Sequence, residues 1–137
     1  TNTDLLGGLT FVFICMDKGT AKKAIIEKLE NLEISFIDVG MGVEVVESCL
    51  SVSIRVTTST KTMRNHVREN RLISFVDDDG KGDYDKNIQI AELNALNAAL
   101  AVTRWKKIAG YYIDLKREHD SIYSLDDNIL VSDDYET

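Results

Sequence analysis

Proline is absent from this 137-residue chain, and cysteine occurs only twice. Average usage of about 5% would give roughly seven prolines. This deficit, with a first residue, Thr1, that is not methionine, leads us to expect a fragment of a longer protein. Cys15 and Cys49 lack the C-x-x-C spacing of a zinc knuckle and do not form a disulfide framework. We expect two reduced, buried thiols.

Long apolar runs are also missing. The longest, Phe11 to Met16, is far shorter than the roughly 18 residues that a membrane-spanning helix needs, and no signal-peptide pattern opens the chain. Sixteen Lys and Arg against 23 Asp and Glu give a net charge of -7, which disfavours binding to nucleic-acid phosphates. We therefore expect a cytoplasmic protein of one domain, residues 1–137, with neither a membrane nor a nucleic acid as its partner.

The acidic residues are concentrated in two segments, residues 77–85 and 126–137. Such runs are usually solvated, so we predict an exposed loop and a partly frayed acidic tail. A calcium-binding EF-hand loop starting at Asp77 would place Lys81 and Ile88 at positions that require oxygen ligands. This excludes an EF-hand.

The N-terminal third has the pattern of a strand, a helix and a second strand. Residues 9–16 form an apolar run interrupted only at Thr10, residues 20–31 have apolar positions at helical spacing, and residues 34–39 form another apolar run. Two strands joined by one crossover helix are parallel. Gly40-Met41-Gly42 follows, and we interpret it as a tight turn into a hairpin. The pattern predicts an open α/β sheet.

The rest of the chain adds hairpins and helices. Strict alternation over residues 50–57, after residues 43–47 and a turn at Ser48-Cys49, predicts an antiparallel hairpin with one exposed face. A short helix is expected over residues 60–70, capped by Ser59 or Thr60, with a basic stripe along one side. The broad apolar face of residues 88–108 predicts a long helix packed on the sheet, with Gly110 as the residue that ends it. A last hairpin is expected over residues 121–131. The basic stripe consists of Lys61, Arg64, Arg68 and Arg71.

Two carboxylates are predicted at the strand ends, where open α/β sheets bind ligands. Asp17 follows the first strand and precedes a helix, so it is a candidate ligand for Mg²⁺ beside a nucleotide phosphate, or alternatively a helix cap. Asp38 near the end of the second strand is a weaker candidate, and a buried, satisfied carboxylate is the alternative. His66 and His119 have no partnered nucleophile motif, so we expect surface or capping roles. The chain lacks the G-x-x-x-x-G-K-[ST] and G-x-S-x-G motifs.

The order of these segments resembles the second half of the ThiF/MoeB family, which includes the ubiquitin-activating enzymes. Three stretches carry the resemblance: Phe11 to Asp17 with the helix after it, Ile37 to Gly42 leading into a hairpin, and Asn87 to Lys107. It extends over roughly residues 4 to 131, and the last run is similar to bacterial ThiF-like proteins. It implies an α/β fold in which a partial Rossmann-like sheet is extended by antiparallel hairpins.

The resemblance implies an ATP-dependent adenylyltransferase that transfers AMP to the C-terminal carboxylate of a ubiquitin-like or sulfur-carrier protein. Asp17 matches the family aspartate beside the ATP phosphates and their Mg²⁺. Lys22 stands where many members have arginine, so both residues are expected to bind the cofactor. Lysine keeps the charge of arginine but loses its planar fork.

The family's glycine-rich loop, ribose-binding aspartate and phosphate-binding arginine and lysine all precede the matched part, so we expect the isolated fragment to be inactive. Residues 58–87 contain no cysteine that could serve in thioester transfer. Two alternatives remain: a different nucleotide-binding α/β enzyme, such as a dehydrogenase, and a non-catalytic ThiF-like module that dimerises. Because apolar surface would be left uncovered by the truncation, we also expect a homo-oligomer.

Overall fold

The structure, a computed structural model, describes residues 3–69, 73 and 90–133. Its elements form a single five-stranded sheet with helices packed against it. None of the helices in this part of the chain has the length and apolarity that crossing a membrane requires. In chain order the elements are a 3₁₀ helix (Thr3–Leu6), β1 (Phe11–Ile14), α1 (Gly19–Asn31), β2 (Ser35–Val46), β3 (Cys49–Ser59), α2 (His66–Glu69), α3 (Ala91–Ile108), β4 (Asp120–Ser124) and β5 (Ile129–Ser132).

The five strands lie side by side in chain order. β1 and β2 are parallel and joined through α1, with Phe11 opposite Ser35 and Ile14 opposite Asp38. The remaining neighbours are antiparallel. The predicted α/β class, its parallel βαβ unit and both hairpins are thereby confirmed.

β2 is one continuous strand of 12 residues, so the predicted turn at Gly40-Met41-Gly42 is wrong. Both glycines are paired with β3, Gly40 with Arg55 and Gly42 with Ser53. The chain reverses instead at Glu47 and Ser48, whose φ angles are 49° and 70°. Two central residues with positive φ match the twist of a two-residue hairpin. The turn therefore lies one residue before the predicted position.

The side chains of β1 and β2 alternate between two apolar clusters, one on each face of the sheet. Phe36 packs with Ile14, Ile26 and Leu29 of β1 and α1, whereas Ile37 packs with Val56 and Ala101 of β3 and α3. Burial of each such side chain contributes about 1.5–3 kcal/mol. The two main helices therefore cover opposite faces.

α3 packs on the sheet through a narrower stripe than the sequence predicts. Its buried residues are Leu93, Asn97, Ala101 and Arg104, whereas Trp105 stays more than a third exposed. Two polar side chains occupy buried positions because each has a partner: Asn97 Nδ2 donates to Gly40 O at 3.0 Å, and Arg104 contacts carboxylates of the following loop. Residues 88 and 89 of the predicted helix lie outside the described residues.

The helix predicted over residues 60–70 is wrong in its start, because α2 begins only at His66. Ser59 ends β3, and Thr60 pairs with Met63 in a short bridge instead of capping a helix. Arg64 of the predicted basic stripe donates from Nε to Thr60 O at 2.9 Å and from Nη1 to Glu30 O at 3.2 Å. It holds two backbone segments together. The side chain of Arg68, residues 70–72 and the acidic segment 77–85 lie outside the described part, as do residues 134–137 of the tail.

Both cysteines are free and exposed, so the expectation of buried thiols is wrong. Cys15 follows the last residue of β1, and Cys49 opens β3 beside the hairpin turn. Both residues lie at strand ends, beyond the buried part of each strand.

Candidate functional site

Asp17 lies at the carboxyl end of β1, in the short connection to α1. Its side chain is exposed. The N-cap residue of α1 is Lys18, which makes no capping hydrogen bond through its side chain. An exposed carboxylate just before a helix, at the carboxyl end of a parallel strand, is placed where ligands enter α/β sheets. The described residues contain no group of three metal-ligating side chains.

Asp38 is completely buried in β2, level with the last residue of β1. Lys22 of α1 approaches it from the helix side: Nζ lies 3.0 Å from Oδ1, an ion pair without hydrogen-bond geometry, and donates to Oδ2 at 3.2 Å. Arg55 of β3 donates from Nη2 to the same Oδ2 at 2.7 Å. One carboxylate thus pairs with two cations. A buried ion requires such pairing, because removing it from water is otherwise prohibitive.

The polar contacts continue across the sheet to β4. Arg55 Nη1 donates to Thr57 Oγ1, and the Thr57 hydroxyl donates to Asp120 Oδ1 at 2.7 Å. Asp38 lies opposite Thr57, and Thr57 lies opposite Asp120, so these three residues share one sheet face. We refer to Lys22, Asp38, Arg55, Thr57 and Asp120 as the Asp38 cluster.

Asp120 is the acid of the cluster with the less favourable surroundings. Burial raises its pKa, and the nearby charge of Asp133 raises it further. The hydrogen bond from Thr57 and the charge of Arg55 act in the opposite direction without cancelling these effects. Asp120 therefore takes up a proton more readily than an ordinary aspartate, whereas Asp38 sits between two cations.

Gly40 is the residue that makes room for Arg55. A Cβ at position 40 would lie 2.6 Å from Arg55 Nη2, closer than real contacts allow. At Gly42 a Cβ would lie 3.3 Å from Ser53 Oγ, a contact that is tight but adjustable. The first glycine of the pair therefore serves the Asp38 cluster, which explains its occurrence in mid-strand.

The structure separates the two residues that were predicted to bind a nucleotide. Asp17 is at the surface, whereas Lys22 is buried with its amine against Asp38. Asp38 has the alternative role that the sequence left open, a buried carboxylate with partners. The sequence interpretation assigned Arg55 and Thr57 to an exposed strand face, yet Thr57 is fully buried and Arg55 mostly so. The sequence shows only that Asp38 and Gly40 alternate with apolar residues; the register that puts them opposite Thr57 and Arg55 comes from the structure.

The two histidines come together at the far end of β3. His66 is buried and donates from Nε2 to Thr58 O at 2.7 Å, so the predicted surface role is wrong for it. Its ring meets that of His119 edge to face, with centroids 5.7 Å apart. Burial lowers the pKa of His119, and the charges of Arg104 and His66 lower it further, against the hydrogen bond to Arg117 O and the charge of Asp114.

No protein-family model and no curated protein sequence matches this chain. Among solved structures, the selenomethionine form of PaaA matches 96% of the chain with a TM-score of 0.55 and 18% sequence identity. The match covers 44% of PaaA, so this chain spans less than half of that protein. At this identity the likeness shows a shared fold.

Proposed function

We propose that this chain is part of an ATP-dependent adenylyltransferase that activates the C-terminal carboxylate of a ubiquitin-like or sulfur-carrier protein. The observation that carries the proposal is the exposed Asp17 between a parallel strand and its crossover helix. The resemblance to ThiF-like proteins implies that the ATP phosphates bind beside this residue. In the reaction, a carboxylate oxygen of the carrier attacks the α-phosphorus of ATP, the bond to the β-phosphate breaks, and pyrophosphate leaves.

Asp17 would hold the magnesium ion that accompanies ATP, and bound Mg²⁺ would neutralise charge on the leaving pyrophosphate. Lys22 would add a positive charge one turn into α1. Its amine holds Asp38 in the structure, but Arg55 also pairs with that carboxylate. Arg55 can therefore keep Asp38 neutralised when Lys22 Nζ turns to a phosphate oxygen.

The 137 residues lack a glycine-rich phosphate loop, so the proposal requires that loop from a segment outside them. Residues 1–137 alone should neither bind ATP tightly nor exchange pyrophosphate into ATP, because one aspartate cannot replace a cradle of backbone amides. The full-length protein should do both.

The decisive measurement is pyrophosphate exchange by the full-length protein with Asp17→Asn, beside Asp4→Asn as a matched change at another exposed aspartate. We expect at least a tenfold loss for Asp17→Asn, about 1.4 kcal/mol of transition-state stabilisation, and wild-type exchange for the control. A folded Asp17→Asn protein with undiminished exchange would remove Asp17 from the site. A full-length protein without any exchange would refute the adenylyltransferase.

The second candidate is a non-catalytic ThiF-like interaction module. It is favoured by the amine of Lys22, which pairs with Asp38, and by many large apolar side chains that are exposed. Such a module forms homo-oligomers, and we propose self-association under either function. Absence of ATP binding in an associated full-length protein would favour this candidate.

A further inference from the structure

The connection between α3 and β4 presents apolar side chains to solvent. Three of them are among the most exposed large apolar residues described: Tyr111 at 72%, Ile113 at 82% and Leu115 at 90%. Tyr112 stacks edge to face on Tyr111, with ring centroids 5.0 Å apart. Apolar side chains grouped in this way on a surface are typical of a protein contact.

The same connection is held in place from both ends. Gly110, with φ of 83°, ends α3, and the amides of Gly110 and Tyr111 donate to Lys107 O and Lys106 O, the pattern of a Schellman motif. Arg104 Nη1 then donates to Asp114 Oδ1 at 2.8 Å, and Lys107 Nζ donates to Glu118 Oε1 at 3.0 Å. The exposed side chains therefore stand on an ordered backbone, which reduces the entropy lost when a partner binds.

Charge distinguishes this connection from the rest of the chain. Residues 104–118 contain five bases and two acids in a chain with a net charge of -7. Both acids are engaged with Arg104 and Lys107, whereas Lys116 and Arg117 are exposed. We refer to residues 110–117 as the basic loop. Its apolar tip is bordered by positive charge, so it fits an apolar surface bordered by carboxylates.

Such a surface exists on the β4–β5 hairpin of the same protein. Among the described residues β5 pairs with β4 alone, so its other edge has free backbone groups. Its apolar residues Ile129, Leu130 and Val131 are about half exposed. Acidic residues border β5 at both ends: Asp126 and Asp127 precede it, and Asp133 follows it. Residues 120–133 contain no base.

The positions of these two surfaces select a geometry. The basic loop ends where β4 begins and β5 ends, since Ser121 lies opposite Ser132, whereas the acidic turn at residues 125–128 lies at the other end of the hairpin. Antiparallel contact between two β5 strands reverses one hairpin relative to the other. It places the basic loop of each copy at the same end as the acidic turn of its partner.

We infer that two copies of this protein associate across a two-fold axis through their β5 edges, with the basic loop of each copy docked on the acidic hairpin of the other. The two surfaces are complementary in charge, and both expose apolar side chains. A strand of four residues is too small for a stable interface, which buries about 1,200–2,000 Å², so the loops are needed. The inference locates the self-association proposed above and does not depend on adenylation.

A second copy fits the observations better than a membrane. A bilayer is an extended plane, so an anionic surface would repel the acidic remainder of the chain as well as attract the loop. A partner hairpin places its carboxylates only where the loop lies. Because charges are screened within about 8 Å at physiological salt, only this local charge match contributes to the attraction between the two surfaces.

The test is the mass of the full-length protein by sedimentation equilibrium at micromolar concentration. We expect a dimer whose dissociation constant rises at least tenfold in Val131→Lys and, separately, in Leu115→Asp. Leu9→Lys, an exposed apolar residue before the opposite edge strand, is the matched control and should leave the dimer intact. Circular dichroism and thermal unfolding establish that each variant is folded, which these exposed positions favour.

A charge exchange tests the pairing itself. Lys116→Glu and Asp127→Lys should each weaken the dimer, and the two changes together should restore the dissociation constant to within about threefold. A monomeric wild type would overturn the inference. A dimer that survives Val131→Lys and Leu115→Asp but is lost in Leu9→Lys would also overturn it. Such a dimer would be a homo-oligomer that associates through another surface. The exchange assay reports on adenylation independently.

Discussion

Gly40 of β2 and Arg55 of β3 lie directly opposite each other, and the glycine leaves the space that the guanidinium fills on its way to Asp38. Neither residue has an obvious role in the sequence: one belongs to an incomplete glycine motif, and the other to an alternating strand. Because Gly40 leaves this space, Arg55 reaches the buried carboxylate of Asp38 instead of extending into solvent.

Gly40→Ala is expected to destabilise the protein by about 1–3 kcal/mol, the usual range for overpacking. The added Cβ pushes Nη2 away from the carboxylate of Asp38, so a buried charge loses part of its pairing. Urea unfolding measures the effect. Gly42→Ala is the control, because Ser53 Oγ can adjust and alanine favours an extended strand over glycine by about 0.5–1 kcal/mol. Equal stability of the two variants would contradict this account of Gly40.

Asp38→Asn should be more damaging than Lys22→Met. Loss of the carboxylate charge leaves two cations, Lys22 and Arg55, without their direct anionic partner in a buried site, and breaking such pairs typically destabilises by about 3–5 kcal/mol. Loss of Lys22 leaves a one-to-one pair between Asp38 and Arg55. The two variants are compared by chemical denaturation at pH 7. If Lys22→Met proved the more damaging, Arg55 would not be the principal partner of Asp38.

The sequence predicts this fold better than it predicts the site. Helical spacing of apolar residues identifies α1 and α3, and period-two alternation identifies β3, because burial on one face makes the sequence periodic. A continuous apolar run identifies β1. The pattern fails to predict the burial of polar side chains that are paired with other polar groups. Asn97 and Arg104 occupy the packed face of α3, and Arg55 lies inside the sheet, because each meets a partner far away in sequence. Register between strands decides such pairs, and it is not encoded in local periodicity.

His119 should make the protein less stable as the pH falls below about 6.5, the ordinary histidine value. Its pKa in the folded state is lowered, chiefly by burial, so its contribution to stability is present above the unfolded-state pKa and is lost as the pH falls through the folded-state pKa. We expect His119→Gln to flatten the dependence of the unfolding free energy between pH 7 and 5.

Asp120 contributes in the opposite sense at lower pH. Because its folded-state pKa is raised from 3.8, its contribution is present below that value and is lost as the pH rises through the folded-state pKa. Denaturation of Asp120→Asn from pH 3.8 upward, continued into the range used for His119→Gln, is therefore the companion measurement. An unchanged slope in His119→Gln would show that the imidazole does not control stability in this range.

Arg104 is the residue on which the order of the basic loop depends. It is buried and pairs with Asp114 at 2.8 Å and with Glu118 at 3.4 Å. Burial pushes the pKa of Asp114 upwards, but the hydrogen bond and charge of Arg104, with smaller contributions from Arg117 and Lys107, outweigh it and hold that pKa below 3.8. The stability that Asp114 contributes is thus present above this value and is lost as the pH falls through the folded-state pKa.

Arg104→Met should therefore raise the pKa of Asp114, destabilise the protein by about 1–3 kcal/mol, and speed amide exchange in residues 111–118. Carboxyl titration by NMR and hydrogen exchange measure these effects. In the control Lys107→Met, Arg104 still contacts both carboxylates and Lys107 is partly exposed, so the loop should keep its protection against amide exchange.

The dimer requires an ordered loop, so Arg104→Met should also weaken association. Lys107→Met removes one positive charge near the loop and should weaken association less. If amide exchange in the loop were rapid in Lys107→Met and unchanged in Arg104→Met, Lys107 and not Arg104 would hold the loop in place.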